Sequence, residues 1–203
     1  MNVVMSPATQ QLIDALCCLQ GVGPKTAQRM AFQLLSDPGR DKGQLLANSL
    51  KTALDKVTLC QQCRCYTEFE ICQLCSNPKR AQQQLCVVES PADIMAIDET
   101  QCFKGLYFVL HGHLSPLDGI GPAEIAIPQL LETIKQREVT ELIIATNPTM
   151  EGKATAHYIV SHVDNTNVAC SQLAHGIPLG GELEYLDGGT LAHALQMRTA
   201  IQQ

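Results

Sequence analysis

The chain has 203 residues, of which 45% are hydrophobic, and a formal net charge of −6 at pH 7. This length and composition allow a buried core in one or two domains. No run of about 18 apolar residues occurs, which excludes a membrane-spanning helix. The first residues lack the basic and apolar regions of a secretory signal, so we expect a cytoplasmic protein.

The charges are divided unevenly along the chain. Residues 1–80 carry nine Lys and Arg against six Asp and Glu, whereas residues 81–203 carry five against fourteen. A basic segment attracts phosphate groups and an acidic one repels them. The distribution predicts that the N-terminal part faces nucleic acid, although the net charge of the whole chain argues weakly against that function.

Three helices are predicted in the N-terminal part. Apolar residues recur at helical spacing over residues 9–19 and 25–35. Pro24 suits the first turn of the second helix, because an N–H group at that position would lack a partner within the helix. A third helix is predicted over residues 42–57, with a buried side formed by Leu45, Leu46, Ala53 and Leu54.

The segment Leu19–Lys25 resembles the hairpin of a helix-hairpin-helix DNA-binding motif. Gly21 and Gly23 permit a tight turn that a β-carbon would obstruct, so that backbone N–H groups can face a phosphate. Lys25 and Arg29 are four residues apart, on one helix face beside the same phosphate. Such contacts bind DNA without reading its sequence. An ordinary helix–loop–helix with solvated Lys25 and Arg29 is the alternative.

The ten cysteines include two Cys-x-x-Cys pairs that are eight residues apart, formed by Cys60, Cys63, Cys72 and Cys75. In a reducing cytosol, metal binding explains such a cluster better than disulfides do. Four thiolates complete a tetrahedral structural Zn²⁺ site and leave no position for water. The spacing therefore predicts one structural zinc ion, with free or redox-active thiols as the alternative and Cys65 as a further nearby thiol. The other cysteines are expected to be small core residues: Cys17, Cys18, Cys86, Cys102 and Cys170.

From Leu85 onward, strand and helix patterns alternate. The predicted strands cover residues 85–88, 106–110, 142–146 and 168–174, and the predicted helices cover 91–100, 127–138 and 152–163. This alternation is typical of βαβ units and a parallel sheet, so the predicted fold class is α/β. A Gly- and Pro-rich loop spans residues 113–122, and the tail is predicted to be helical over 190–199.

Polar residues follow two of the predicted strands. Glu89 comes directly after the first strand, and Asn147 and Thr149 follow the third, at the strand ends where parallel sheets place ligand sites. These segments resemble the Toprim domain of topoisomerases and primases. Its catalytic members carry two aspartates, which hold Mg²⁺, at the positions of Asn147 and Thr149. Loss of both carboxylates leaves Glu89 and Glu151, which predicts at most weak magnesium binding.

Aromatic and imidazole side chains near this edge receive structural interpretations. Tyr107 is predicted inside a strand and Tyr158 inside a helix, so neither is placed as a nucleophile. His111 and His113 flank Gly112 at a strand end. Because no partner acid is evident in the sequence, we expect both to be structural or surface groups.

Four segments, in this order, closely resemble the RecR family of recombination mediators. They read Leu-x-Gly-Val-Gly-Pro-Lys-Thr-Ala-Gln-Arg-Met, Cys-Val-Val-Glu-Ser-Pro-Ala-Asp, Gly-His-Leu-Ser-Pro-Leu-Asp-Gly-Ile-Gly-Pro and His-Gly-Ile-Pro-Leu-Gly-Gly-Glu-Leu-Glu. The resemblance implies a helical region with the helix-hairpin-helix over residues 1–57 and a four-cysteine zinc finger over 58–78. It further implies a Toprim domain over 83–178 and a partly irregular, partly helical C-terminal segment with oligomer contacts over 179–203.

The resemblance also implies that the protein is not an enzyme. Family members act with RecF and RecO in the repair of single-strand gaps and promote RecA loading on single-stranded DNA coated with SSB. They form dimers and ring-shaped tetramers. On this basis, single- or double-stranded DNA would be contacted by Gly21, Gly23, Lys25 and Arg29. Partner proteins would be bound by Glu89, Asp93, Asn147 and Glu151. A magnesium-dependent Toprim nuclease or topoisomerase-like enzyme, and an adaptor that never contacts DNA, are the alternatives.

Overall fold

The computed structural model describes residues 5–163, 167–174, 177, 180 and 182–197, without the side chain of residue 193. Two compact units divide the chain, Met1–Val57 and Thr58–Gln203. Half of the motif at residues 175–184 lies outside the described residues, as does the predicted tail helix beyond residue 197. Within the described ranges, no helix has the length and apolar character required to cross a bilayer.

Three α-helices form the first unit: α1 (Pro7–Leu16), α2 (Pro24–Leu35) and α3 (Arg40–Lys56), with a short 3₁₀ turn at Asp37–Gly39 before α3. Ser6 caps α1 by accepting a hydrogen bond from the backbone N–H of Thr9 at 3.2 Å. Ile13 of α1 packs with Ala27 and Ala31 of α2 in a small buried cluster. Because both residues on α2 are alanines, the two helices can approach closely.

The predicted buried side of α3 is wrong. Leu45, Leu46 and Leu54 are 68%, 51% and 75% exposed, and Ala53 is exposed as well. Helical spacing identifies residues that share a face of a helix, but it does not establish that another part of the chain covers that face.

The second unit begins with a two-stranded antiparallel ribbon and a short helix, and continues as an α/β sheet. Its elements are β1 (Thr58–Leu59), β2 (Tyr66–Thr67), α4 (Gln73–Ser76), β3 (Ala81–Val88), α5 (Pro91–Glu99), β4 (Gly105–Val109), α6 (Ile127–Gln136), β5 (Glu141–Ala145), α7 (Met150–Ser161), β6 (Ala169–Gln172) and α8 (Gly188–Gln196). A short 3₁₀ helix, Leu183–Tyr185, precedes α8.

Strands β3 to β6 form a parallel sheet in the order β4-β3-β5-β6, which confirms the predicted fold class. Leu85 of the central strand β3 pairs with Leu106 on one side and Leu142 on the other. Strand β3 starts at Ala81, four residues before the predicted start at Leu85. The intervening glutamines join the sheet through backbone pairing, which an apolar pattern does not detect.

Both faces of the sheet are covered. Leu85 and Val87 point to a core that includes Leu130 of α6 and Ile159 of α7. The alternate residues of β3 face a second cluster that includes Ile94 of α5, with the half-buried Cys65 and Leu74 packed against it. The strand order reverses direction at β3, because β4 and β5 lie on opposite sides of it. Parallel sheets place ligand sites at such a switch point, beside the carboxyl ends of the strands.

Candidate nucleic-acid interface, metal centre and Toprim edge

The turn between α1 and α2 leaves the N-terminus of α2 open. Gly21 has a φ of 79°, a left-handed conformation that favours glycine. A Cβ at Gly21 or Gly23 would meet no described atom within 4 Å. The expected cost of a β-carbon therefore applies to Gly21 through its backbone conformation, whereas Gly23 has no such requirement. Gly21 is required by its φ angle, and Gly23 leaves free space in front of the helix.

Gly23 is the N-cap of α2, and no side chain among the described residues accepts a hydrogen bond at that cap. Amide groups at the start of a helix then remain available, and the helix dipole favours an anion there. Lys25 and Arg29 are exposed on the side of α2 opposite the buried Ala27. Within the described residues, neither forms an ion pair. The amides and the two cations together suit a phosphate group.

The four predicted cysteine ligands meet in the structure. The sulfur atoms of Cys60, Cys63, Cys72 and Cys75 all lie within 4.8 Å of one another, and all four residues are buried. Tetrahedral zinc with Zn–S bonds of about 2.3 Å would place its sulfur ligands about 3.8 Å apart. The cluster could therefore hold a metal ion, and its all-thiolate chemistry fits zinc.

Backbone amides support two of these sulfurs. Cys65 N–H donates to Cys63 Sγ at 3.4 Å, and Cys72 N–H donates to Cys60 Sγ at 3.3 Å. The sulfurs of Cys63 and Cys72 are 3.4 Å apart. This contact raises the pKa of the Cys63 thiol and lowers that of the Cys72 thiol. A cation at the centre would stabilise the thiolate form at all four positions.

The other cysteines form a buried or half-buried group and an exposed group. Cys65 is half-buried beside the cluster but does not belong to the group of close sulfurs. Cys86 is buried in the sheet, where desolvation raises its pKa to about 12. Cys17 is half-buried. The expectation of burial is wrong for the exposed Cys18, Cys102 and Cys170.

The carboxyl ends of β3, β4 and β5 form one edge of the sheet, which we call the Toprim edge after the resemblance in sequence. Glu89 lies at its centre. It is only 7% exposed although it follows the last residue of β3. Its two carboxylate oxygens accept hydrogen bonds from Asn147, from the backbone N–H at 2.8 Å and from Nδ2 at 2.7 Å. Both oxygens of Glu89 are satisfied by this single residue.

The first turn of α7 completes this arrangement. Thr149 caps the helix by accepting a hydrogen bond from Gly152 N–H at 3.0 Å. A Cβ at Gly152 would lie 2.1 Å from the carbonyl oxygen of Asn147 and 3.0 Å from Glu89 Oε1. Only glycine permits this approach, so the pairing of Glu89 with Asn147 depends on Gly152.

His113 has a partner acid, contrary to the expectation from the sequence. Its Nδ1 lies 3.5 Å from Glu89 Oε2. The sequence around either residue gave no sign of this pairing. Glu89 and His113 follow different strands, and only the sheet brings the ends of those strands together. His111 has a φ of 60°, and its Nε2 lies 2.6 Å from the carbonyl oxygen of Arg64.

The cysteine cluster is joined to this edge through the backbone. Val109 N–H, at the end of β4, donates to the carbonyl oxygen of Cys63 at 2.8 Å. Together with the contact between His111 and Arg64, this bond fixes the loop between two cysteines against the strand end. The geometry of the cluster is thereby coupled to the segment that carries His113.

Asp93 and Glu151 lie at the same edge without a described hydrogen bond to Glu89. Asp93 Oδ2 accepts a hydrogen bond from Ser90 N–H at 2.7 Å and so caps α5. Glu151 is exposed in the first turn of α7. Of the four residues assigned to a partner site, the structure joins Glu89 and Asn147 directly and places the other two on neighbouring helix starts.

Tyr107 is engaged in a structural network. Its hydroxyl lies 3.2 Å from Asp98 Oδ1, and Asp98 also pairs with Arg80. Burial raises the pKa of Tyr107 to about 12. A buried phenol with this pKa is a poor nucleophile, which agrees with its position inside β4.

These features define a class of protein: a helix-hairpin-helix unit and a four-cysteine module combined with a Toprim sheet that lacks the paired aspartates. Residues 83–174 match the family model of the Toprim domain, residues 9–54 that of the RecR helix-hairpin-helix, and residues 176–199 that of the RecR C-terminal region. Over 199 residues, the chain is 59% identical to "Recombination protein RecR" of Coxiella burnetii (strain RSA 493 / Nine Mile phase I). The match covers 98% of this chain and 99% of that relative. The chain belongs to the RecR family.

Proposed function

We propose that the protein is a DNA-binding mediator of recombinational repair that acts without catalysing a reaction. Its partners would be RecF and RecO, and its effect would be to promote RecA loading on SSB-coated single-stranded DNA at gaps. The observation that carries this proposal is the open N-terminus of α2 with the exposed cations Lys25 and Arg29, in a chain that belongs to the RecR family. Contacts to the phosphate backbone suit a protein that must bind DNA of any sequence.

The metal is assigned as one structural zinc ion held by Cys60, Cys63, Cys72 and Cys75. When bound, the ion would join the two cysteine pairs of a module that buries little apolar surface of its own. The hydrogen bonds that join Val109 to Cys63 and His111 to Arg64 would then hold the end of β4 in place as well. A closed shell of four thiolates gives the ion a structural task.

The edge around Glu89 is assigned as a site for partner proteins, with Asp93, Asn147 and Glu151 at its border. Hydrogen bonds from Asn147 to both oxygens of Glu89 disfavour the alternative of a magnesium-dependent nuclease or topoisomerase-like enzyme. Two carboxylates that remain, Glu89 and Glu151, provide only a weak set of ligands for Mg²⁺. An acidic surface can also increase the association rate of a basic partner.

Oligomerisation would strengthen the binding of DNA. One hairpin provides weak and salt-sensitive contacts to phosphates. Several hairpins in a dimer or a ring-shaped tetramer act together, because the first contact raises the effective concentration of the others. We assign oligomer contacts to residues 179–203 on the basis of the family. Solution mass with and without DNA measures the number of chains.

DNA affinity tests the proposal directly. The double variant Lys25→Ala/Arg29→Ala should lose affinity for single-stranded DNA and show a smaller dependence on salt, because fewer counterions are released. The variant Lys51→Ala/Lys56→Ala removes two exposed lysines from the far end of α3 and is the matched control. Equal affinity and equal salt dependence in the first variant and the wild type would favour the adaptor that never contacts DNA.

Two further assays separate a mediator from an enzyme. Wild-type protein with RecF and RecO should accelerate RecA assembly on SSB-coated single-stranded DNA. With supercoiled DNA and Mg²⁺, the wild type should produce no nicks. Nicking that disappears in Glu89→Ala would overturn the non-enzymatic assignment.

A further inference from the structure

The loop that leaves β4 presents a fully exposed leucine. Leu117, at the apex of the turn Ser115–Ile120, is 100% exposed. Its neighbours Leu114 and Ile120 instead pack against the core of the sheet. The turn is therefore anchored at its base and carries one apolar side chain into solvent.

Hydrogen bonds fix the shape of this turn. Ser115 and Ile120 exchange backbone bonds of 3.0 and 2.9 Å. Ser115 Oγ donates to Asp118 Oδ2 at 2.6 Å, and Gly119 adopts a φ of 70°. Leu117 takes part in none of these hydrogen bonds. The fold thus gives no reason for a leucine at position 117.

A second anchor joins the loop to α7. Leu114 N–H donates to Thr155 Oγ1 at 2.9 Å, and Thr155 is fully buried. Helix α7 begins at Met150, which is 79% exposed. Because β4 and β5 flank β3 in a parallel sheet, the loop and the start of α7 both lie at the edge that contains Glu89.

The surroundings of Leu117 are acidic. Asp118 and Glu124 are exposed in the same loop, and Glu124 Oε2 accepts a hydrogen bond from Gly121 N–H at 3.0 Å. The sequence has no Lys or Arg between Lys104 and Lys135. A surface that matches this region must offer an apolar pocket with basic groups at its rim.

We propose that Leu117 is the anchor residue of a protein-docking surface, and that it enters an apolar pocket bordered by Lys or Arg on a partner protein. This inference rests on the proposed function, because it concerns the same edge of the Toprim sheet. The side chain loses little freedom on binding, since the turn that holds it is already ordered. A second copy of the same loop is a poor partner for it, because the exposed carboxylates of Asp118 and Glu124 would face their own copies.

Binding of purified RecO and of purified RecF, measured by calorimetry, tests the inference. Leu117→Ser should weaken the binding of one of these proteins by about ten-fold or more. Leu117→Met retains an apolar side chain of similar volume and should stay within about three-fold of the wild type. Met95→Ser, which removes another exposed apolar side chain (66% exposed), is the matched control and should bind as the wild type does.

The thermal midpoint, solution mass and DNA affinity of Leu117→Ser should equal those of the wild type, because the side chain makes no described contact. Wild-type affinity of Leu117→Ser for both proteins would overturn the inference and leave the proposed function intact. A change in solution mass would overturn it in favour of a contact between copies of this chain. Failure of the wild type to bind either protein would overturn the partner assignment in the proposed function, and this inference with it.

Discussion

Asn147 donates hydrogen bonds to both carboxylate oxygens of Glu89, from its backbone N–H at 2.8 Å and from its side-chain amide at 2.7 Å. The resemblance to Toprim enzymes places an aspartate at this position in the catalytic members. The amide has nearly the same shape as that carboxylate, but it donates hydrogen bonds where the carboxylate would accept a cation. The buried Glu89 is therefore stabilised without a metal ion.

Asn147→Asp should destabilise the protein. At neutral pH the variant places a second negative charge against a buried carboxylate, which costs on the order of 3 kcal/mol of unfolding free energy. The deficit should shrink at acidic pH, since protonation of the introduced carboxyl removes the repulsion. Thermal denaturation at several pH values measures both effects.

Thr149→Asp is the matched control, because aspartate is also a good N-cap and should preserve the start of α7. Addition of Mg²⁺ should raise the thermal midpoint of Asn147→Asp/Thr149→Asp and leave that of the wild type unchanged. A wild-type midpoint for Asn147→Asp without added Mg²⁺ would contradict the role assigned to Asn147.

Removal of the metal should disturb the Toprim edge as well as the cysteine module. The purified protein should contain about one zinc ion per chain. Chelation should unfold the module and shift the NMR resonances of the His111 and His113 imidazoles, because Arg64 holds His111 and the same segment approaches Glu89. Cys102→Ala, which removes an exposed thiol, should retain all the zinc. Unchanged imidazole resonances after complete chelation would exclude the coupling.

Gly23→Ala and Gly21→Ala should separate DNA binding from stability. A methyl group at position 23 meets no described atom, so the free energy of unfolding should stay within about 0.5 kcal/mol. DNA affinity should fall, since the methyl group occupies the space that a phosphate would enter. Gly21→Ala should lose about 1 kcal/mol of stability because its φ of 79° is unfavourable for alanine. Wild-type DNA affinity in Gly23→Ala would argue against a phosphate at this helix start.

Tyr107 should make stability depend on alkaline pH. Burial raises its pKa to about 12 in the folded protein, whereas an unfolded chain releases this proton near pH 10. Between these values the unfolded state binds fewer protons than the folded state, so stability falls as pH rises. Chemical denaturation between pH 9 and about 12 should show a shallower decline for Tyr107→Phe. Identical slopes for wild type and variant would assign the decline to other groups.

The parallel sheet and the four cysteines were predictable from local pattern. Alternating apolar runs identified the strands, and two Cys-x-x-Cys pairs identified residues whose sulfur atoms meet within 4.8 Å. The exposure of Leu45 was not predictable, because exposure depends on which other segment covers a helix face. The same reason explains the error at the exposed Cys102.

The interactions of Glu89 show the same limit at the candidate site. Its position at a strand end followed from the sequence, but its burial and its contacts with Asn147 and His113 depend on three strand ends that only the sheet order brings together. The substitution of Asn147 for an aspartate was visible in the sequence. Its role as a donor to Glu89 required the geometry.

On the proposed function, the uncapped start of α2 would link DNA binding to the stability of the first unit. No described side chain caps this helix, and on the proposed function a phosphate oxygen would take the place of the cap. By linkage, a ligand that binds only the folded unit also stabilises it. On the proposed function, DNA would then raise the thermal stability of residues 7–56, and that stability would report the fraction of the protein that is bound to DNA.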